Sequence, residues 1–564
     1  MKKILYITAA LALALNTTSC SDFLDNTPRG VLSEGELVNA ENIEGFMTAA
    51  YAQLGNDHYD TPFSLWPYGN VRADDAYKGG SGTNDGQVFH FFEISNNIRP
   101  DFGELDGFWY NSYVGISRAN KALRALEQID VSEFPLKETR MAEMRFLRGH
   151  FYFMLKIMFR NIPYISEDIA ADDYGTISNT ALGNEELWEA IAQDFEAAAQ
   201  GLPDTQTQVG HATSTAAYAY LAKVRLYQAY TQDENYNVTG INTAHLQQVV
   251  AATEQVMGNA ALEADFASNF LPGQFENGQE SIFAIQYSQD DGTLYGRLNY
   301  SDVLSTPQGL GCCDFHKPSQ NLMNAYKTTA TGIPMFDTYN NEDLDYNALS
   351  DYTVDPRLYH TVALPGLPWK YDPEYIFVEA WSRSPSTYGY TASLKENVSP
   401  NCGCIVNIVP FYGNSKNRIQ IRYADVLLMR AEALIELGQQ DEALTLINQV
   451  RSRAAASTGM ISYANNLNIS PYVPGTNCTW TQDFARQALR WERRLELAME
   501  GSRFFDLVRW GVADEVLNAY FAEEKTKRPY YADAFFDSNK EEYCPIPLSQ
   551  INFSQGVYHQ NPGY

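Results

Sequence analysis

A chain of 564 residues with 45% hydrophobic side chains has enough apolar surface for a large core, which excludes gross disorder. Its net charge of -29 excludes a nucleic-acid binder, because phosphate neutralisation needs a cationic face. With 8 His against 37 Tyr, imidazole and metal chemistry are thinly supplied, whereas flat amphipathic rings are abundant.

Residues 1–19 read as a signal peptide: Lys2 and Lys3, an apolar run Ile4–Leu15, then small polar residues. The run is far short of the ~20 residues a spanning helix needs. Cys20 stands where lipoprotein signals are cut and the cysteine is acylated, although Thr17 replaces the usual Leu. Residues 20–40 are then a lipid anchor and tether. The competing reading is a plain secretory cut that leaves Cys20 as a spare thiol.

Residues 41–259 predict a helical scaffold. Apolar spacing marks helices over Glu41–Leu54, Trp109–Ile129, Leu136–Phe159, Asn184–Gln200, Thr213–Tyr230 and Ala244–Met257. Residues 57–106 interrupt them as an irregular segment holding Trp66, Tyr68, Tyr77 and the flexible run Gly79–Gly86. Residues 260–419 differ in character. Short strand-like runs (Ser281–Tyr287, Tyr359–Ala363, Tyr375–Ala380, Ile405–Phe411) sit among Gly, Pro, Asn and Asp, and long aperiodic stretches of this kind are usually functional.

Residues 420–564 return to helix with the pair Arg422–Leu437 and Asp441–Ala455, followed by Asp483–Gly511 and a tail. The helix pairs look like tetratricopeptide repeats, about four units without a clean period. The expected fold is therefore mainly α: a helix-pair scaffold interrupted by a large loop-rich, short-strand excursion.

Within Asp483–Gly511, Glu492, Glu496 and Glu500 recur at i, i+4 and i+8, a stripe that repels itself unless paired. Arg493 and Arg503 lie within helical reach of it, so the expectation is a buried Arg–Glu seam locking this helix onto the scaffold. The remaining cysteines are Cys312, Cys313, Cys402, Cys404, Cys478 and Cys544; disulfides fit better than zinc, with connectivity open.

Several runs then resemble the SusD/RagB family of Bacteroidetes nutrient-binding lipoproteins. They are Cys20–Asp25 (CSDFLD) with Pro28, Arg145–His150 (RFLRGH) with Asn161–Pro163, Ile421–Ala433 (IRYADVLLMRAEA), Ile447–Ala454 (INQVRSRA), Glu492–Gly511 (ERRLELAMEGSRFFDLVRWG), Pro545–Pro547 and Gln560–Pro562. The resemblance implies a tetratricopeptide-like scaffold with an irregular ligand face. It also implies an outer-membrane location with a lipid on Cys20, and a SusC-like TonB-dependent barrel as partner. Glycan capture without catalysis or cofactor is the implied function. A peptide ligand is the alternative within the family, and a secreted glycoside hydrolase the alternative outside it.

Neutral sugars need apolar platforms ringed by hydrogen-bonding groups. Loop residues offering these are Trp66, Tyr68, Asn70, Tyr77, Tyr287, Tyr295, Arg297, Tyr300, Trp369 and Trp381, with Arg72, Asp74 and Asp75 as further polar partners. Against each stands the plainer reading that the ring packs a loop onto the scaffold. The acidic run with Asp337, Asn341, Asp343 and Asp345 offers oxygen ligands for calcium but lacks the Gly and terminal Glu of an EF-hand, so a solvated loop fits it better.

Overall fold

The computed structural model describes residues 38–56, 58–292 and 297–564. Signal peptide, Cys20 and Tyr295 lie outside these residues. The main helices are α1 (Ile43–Ala52), α2 (Gly103–Glu127), α3 (Lys137–Phe159), α4 (Asn184–Gly201), α5 (Ser214–Ala229), α6 (Thr243–Met257), α7 (Tyr423–Glu436), α8 (Gln440–Ala456), α9 (Gln482–Leu497), α10 (Arg503–Arg509) and α11 (Ala513–Lys527).

From α1 to α9, each helix packs on its successor. The pairs α1–α2, α3–α4, α5–α6 and α7–α8 are the four tetratricopeptide-like units. The stack continues from α6 to α7 although the whole excursion separates them in sequence. Close approach comes from small residues: Ala216, Ala217, Ala219 and Ala222 of α5 are fully buried. Thr213 caps that helix by accepting from the Ala216 N–H at 3.2 Å, satisfying an otherwise orphaned donor. Helix α3 is apolar around much of its circumference and buried almost throughout, as a central element must be.

The strands are short and pair in twos, all antiparallel. They are β1 (Ala76–Gly79), β2 (Tyr230–Gln232), β3 (Val238–Ile241), β4 (Ser281–Ile285), β5 (Phe315–Pro318), β6 (Val362–Ala363), β7 (Pro368–Trp369), β8 (Asp372–Ile376), β9 (Ala392–Ser393), β10 (Ile405–Ile408), β11 (Phe411–Asn414) and β12 (Arg418–Arg422). The ladders are β1–β5, β2–β3, β4–β12, β6–β9, β7–β8 and β10–β11. Three predicted strands are redrawn. Of Tyr375–Ala380 only Tyr375 and Ile376 are strand, and Glu379 and Ala380 lie in a helical turn. Tyr359 lies in a helical turn, Arg357–Thr361, with only Val362 and Ala363 extended. Ile405–Phe411 is a hairpin, turning at Val409-Pro410 because proline cannot donate into a ladder.

The predicted helix Asp483–Gly511 is broken. It stops at Leu497 and restarts at Arg503, with Met499 and Gly501 in the left-handed region (φ 65° and 83°). Gly501 is required there, because a Cβ on it would meet the Ser64 carbonyl oxygen at 2.6 Å, and Gly69 of the first irregular segment is required opposite it, where a Cβ would meet the Gly501 carbonyl oxygen at 1.9 Å. Glu500 therefore reaches the stripe from the turn rather than from a helical face.

The seam is buried and its cations come from elsewhere. Arg357 binds Glu492 at 2.6 Å and Glu496 at 2.9 Å, with Asp355 at 2.7 Å. Arg422 binds Glu280 at 2.7 Å, Glu496 at 2.6 Å and Glu500 at 2.8 Å. Arg451 adds a bond to Glu492 at 3.0 Å, Arg453 bonds to Glu280 and Glu496, and Lys395 binds Glu500 at 2.6 Å. Five carboxylates thus meet five cations. Burial pushes the Glu496 carboxyl up, but Arg453, Arg422 and Arg357 outweigh it and hold the group well below the usual range. Burial likewise lowers Lys395, to about 8.

Arg493 and Arg503, expected in this seam, serve other contacts. Arg493 points to Asp425 and Asp506, each at 2.9 Å. Arg503 reaches Asp74 at 2.8 Å, and Arg494 reaches Asp75 at 2.8 Å, tying the first irregular segment to the α9–α10 turn. Helical spacing brings i and i+3 side chains near each other, yet tertiary partners on both faces of α9 compete and win.

Candidate functional site

The excursion carries its own small core. Ala363, Trp369, Phe377, Ala392 and Leu394 pack together, with Leu310, Tyr375 and Trp381 half-buried against them. Trp369 is locked there, its indole N–H donating to the Val398 carbonyl at 2.9 Å. Trp381 leans edge-on to Trp369 and Phe377, at centroid distances of 6.0 and 5.7 Å. Gly309 runs across the Trp381 ring: a Cβ there would come within 2.1 Å of it.

Beside this core lies a groove of about 190 Å³, walled by Thr306, Gly309, Leu310, Tyr375, Asn397, Val398, Pro400, Ile405, Tyr412 and Asn414. Tyr375 stands on β8 and Tyr412 on β11, so two ladders aim their rings at one space. Both rings, Leu310 and Ile405 are half-exposed. On β11 the preceding residue, Phe411, packs on Tyr59 at 5.1 Å, and His58 lies parallel to Tyr300 at 6.4 Å. The excursion hairpin thus has aromatic groups beside both of its faces.

Most of the predicted platform is elsewhere. Trp66, Tyr68 and Trp369 are 2%, 0% and 0% exposed, which leaves no ring face for a ligand. Trp66 donates to the Ser301 carbonyl at 3.1 Å, and Tyr68 sits edge-on to Phe92 and Phe108. Asn70 is a clamp: its carbonyl accepts from the Gly501 N–H at 3.0 Å while its amide meets His316 at 3.0 Å. Tyr77 is buried, donating to Glu524 at 3.3 Å and accepting from the Gln320 N–H at 3.1 Å. Tyr287 is buried as well. Arg72, Asp74 and Asp75 are also buried.

Three predicted residues remain accessible. Arg297 is exposed and donates to the Asn56 side chain at 2.9 Å, Tyr300 belongs to the Tyr59 side of the hairpin, and Trp381 borders the groove. Tyr375 and Tyr412 were missed. Tyr375 opens the run Tyr375–Ala380 read as strand, and strand alternation is the signal that points to it, whereas Tyr412 lies one residue past the run Ile405–Phe411 and carried no such signal.

A second cavity, about 130 Å³, lies between scaffold and excursion, among Phe63, Trp66, Phe153, Tyr220, Lys395 and Lys416. Its walls include core rings and the seam carboxylate Glu500. Two of the residues proposed for calcium have other partners. Asp343 accepts from the Lys527 ammonium at 2.9 Å and the Asn324 amide at 3.0 Å, whereas Asp345 caps the Asn347 N–H. Among the described residues no three His, Cys, Asp or Glu side chains converge as a metal cage. Cysteines pair locally, Cys312 with Cys313 and Cys402 with Cys404, leaving Cys478 and Cys544 free.

Stacked helix pairs interrupted by an aromatic-grooved excursion define a repeat-scaffold binding protein. Residues 279–564 match the model of the SusD family, and residues 22–226 match a SusD-like model described as starch-binding and associating with the outer membrane. The chain belongs to the SusD family. It is 26% identical over the full length of both chains to SusD-like protein P2 of Formosa agariphila. To a SusD-like protein of Bacteroides ovatus it is 25% identical, over 100% of this chain and 92% of that one. The same fold is found in a laminarin-binding SusD-like protein, at a TM-score of 0.66 and 24% identity, covering 93% of this chain and 100% of that one. Surface glycan-binding protein A of Bacteroides fluxus superposes at 0.66 with 21% identity, over 93% and 99% of the two chains.

Proposed function

We propose that this chain captures a glycan in the Tyr375–Tyr412 groove and hands it, uncleaved, to a TonB-dependent barrel in the outer membrane. One observation carries the reading: an aromatic-walled groove without a single carboxylate in its lining, set on a SusD-family scaffold. Tyr rings present flat apolar faces to sugar C–H groups, and Thr306, Asn397 and Asn414 supply hydroxyl and amide groups around them. Glycoside hydrolysis needs two carboxylates flanking the bond, and this lining offers neither. The relatives with this fold described as laminarin-binding and surface glycan-binding support the same class of ligand. Anchoring through a lipid on Cys20 places the groove at the cell surface beside its barrel.

Calorimetry of the purified mature chain against a glycan panel, with reducing ends assayed afterwards, tests the reading. Binding heat without new reducing ends is expected. New reducing ends, or no heat with any glycan, would overturn it. Cys20→Ala should release the protein from the outer-membrane fraction; retention there would remove the lipid from the account.

A further inference from the structure

We infer that the groove is selective for uncharged glycans and turns away polyanionic ones, those carrying uronate or sulfate groups. The inference rests on the capture function above and adds the chemical class of the ligand. No charged side chain lines the groove. The surface around it is then the deciding term, and its charges are sorted by sign.

Between residues 297 and 417 the chain has eight Lys and Arg. Six of them (Lys317, Lys327, Arg357, Lys370, Lys395 and Lys416) are buried. Each is tied down: Lys317 to Asp314 at 2.8 Å, Lys395 to Glu500 at 2.6 Å, Lys416 to the Lys395 carbonyl at 3.0 Å. Lys370 donates to the Phe270 and Leu394 carbonyls at 2.9 and 2.8 Å, Arg357 is held in the seam, and Lys327 donates to the Glu342 carbonyl. Turning Lys317 outward would leave Asp314 without its cation in the interior, and turning Lys395 outward would leave Glu500 with Arg422 alone. The two exposed cations are engaged as well, Arg297 with Asn56 at 2.9 Å and Arg383 with Asp85 at 3.0 Å.

Exposed carboxylates on the same segment include Asp337, Glu342, Asp345, Asp351, Glu374 and Glu379. Glu374 precedes Tyr375 in the chain, and Glu379 lies two residues before Trp381. Asn401, next to the groove residue Pro400, donates to Glu374 at 2.9 Å and to Asp372 at 3.0 Å, fixing both carboxylates at that end. The Debye length is about 8 Å at physiological salt, so charges this near the groove act on a bound chain. A polyanion there meets repulsion, and the segment that builds the groove offers no free cation to compensate it. An uncharged chain is indifferent to it.

The test is calorimetry of the mature chain at about 20 mM and about 300 mM salt. The probes are neutral glucans, a mannan and a xylan on one side, polygalacturonate and carrageenan on the other. Expected is a neutral binder whose affinity ignores salt, with both polyanions weaker by at least about tenfold at low salt and the gap narrowing at high salt. The double variant Glu374→Lys/Glu379→Lys should raise polyanion affinity severalfold at low salt and leave the neutral ligand unchanged, its melting temperature serving as the control for folding. A polyanion that binds as tightly as the best neutral chain would overturn the inference and leave capture standing. So would a folded double variant with unaltered polyanion affinity. Silence from every probe would instead overturn capture itself.

Discussion

The seam and the groove lie in one molecule and use opposite chemistry. In the seam, five carboxylates and five cations are taken out of water and spent on one another, holding α9 against α7, α8 and the excursion. In the groove there is no charge, only half-exposed rings standing on a five-residue apolar core. The contrast teaches where charge is used in this chain. Ionic groups build the interior, and the surface proposed for recognition is one that does not ionise. Burying ion pairs is weak evidence for extra stability, since desolvation offsets the attraction, but removing one partner leaves the other buried and uncompensated.

The largest break in the comparison is therefore Arg422→Ala. It takes one cation from each of Glu280, Glu496 and Glu500, leaving Arg453, Arg357 and Lys395 to serve them, and should cost about 3–5 kcal/mol, read as a lowered urea midpoint. An unchanged midpoint there would mean that the seam is not structural; Arg493→Ala, outside the seam, should cost a similar amount through Asp425 and Asp506.

Glu541 tests the rule by exception. It is buried, accepts the Asp537 N–H at 3.2 Å, and has no ion pair among the described residues, so burial raises it to about 7 despite the neighbouring Arg72. The folded protein then holds a proton that the unfolded chain has released above its ordinary 4.5. Stability should fall as pH rises from about 4.5 to 7, and the whole penalty is present above that window. Glu541→Gln should remove on the order of 2–3 kcal/mol of it at about pH 8 and change little near pH 4. A stability difference that does not vary with pH would contradict the unpaired assignment.

At the groove the effects move from stability to affinity. Tyr412→Ala should weaken glycan binding by about 1–2 kcal/mol, roughly tenfold, with no shift in the unfolding midpoint. Gly309→Ala is the smallest change. Its methyl group would displace the Trp381 ring, and affinity should fall only a few-fold, by well under about 1.4 kcal/mol. If affinity survives both variants, the sugar platform lies on the Tyr59–Phe411 side of the hairpin instead.

The scaffold was legible because its signal is local. Periodicity of 3.6 places α3 to its first residue or one beyond, and the alanines of α5 announce close packing before any partner is known. The excursion was legible as a region and not as a site. Whether a loop aromatic faces in or out depends on contacts far away in sequence: Trp66 against the carbonyl of Ser301, Tyr77 against Glu524, Asn70 against Gly501. No window of neighbouring residues holds that information. The same limit hid the partners of the stripe, since Arg357 and Arg422 meet Glu496 only after the chain has travelled out through the excursion and back. Tyr375 and Tyr412 are the instructive omission: Tyr375 opens a run of which only Tyr375 and Ile376 are strand, and Tyr412 lies one residue past another run that folds as a hairpin.

The β4–β12 ladder has a wider consequence. The excursion leaves the helical stack beside β4 and returns along β12, which pairs with it antiparallel, so exit and return are one doorway. A doorway of this kind makes the length and content of what lies beyond it cheap to vary: doubling a loop adds only about 0.6 kcal/mol of closure entropy. The helical stack can thus be inherited unchanged while the excursion is exchanged for one that suits another nutrient. Two conditions bind any such replacement, because Arg357 and Lys395 are the excursion's own contributions to the interior ion network. A graft that brings new rings but not those two cations would leave Glu492 and Glu500 short of partners, and the transplanted specificity would arrive on a weakened frame.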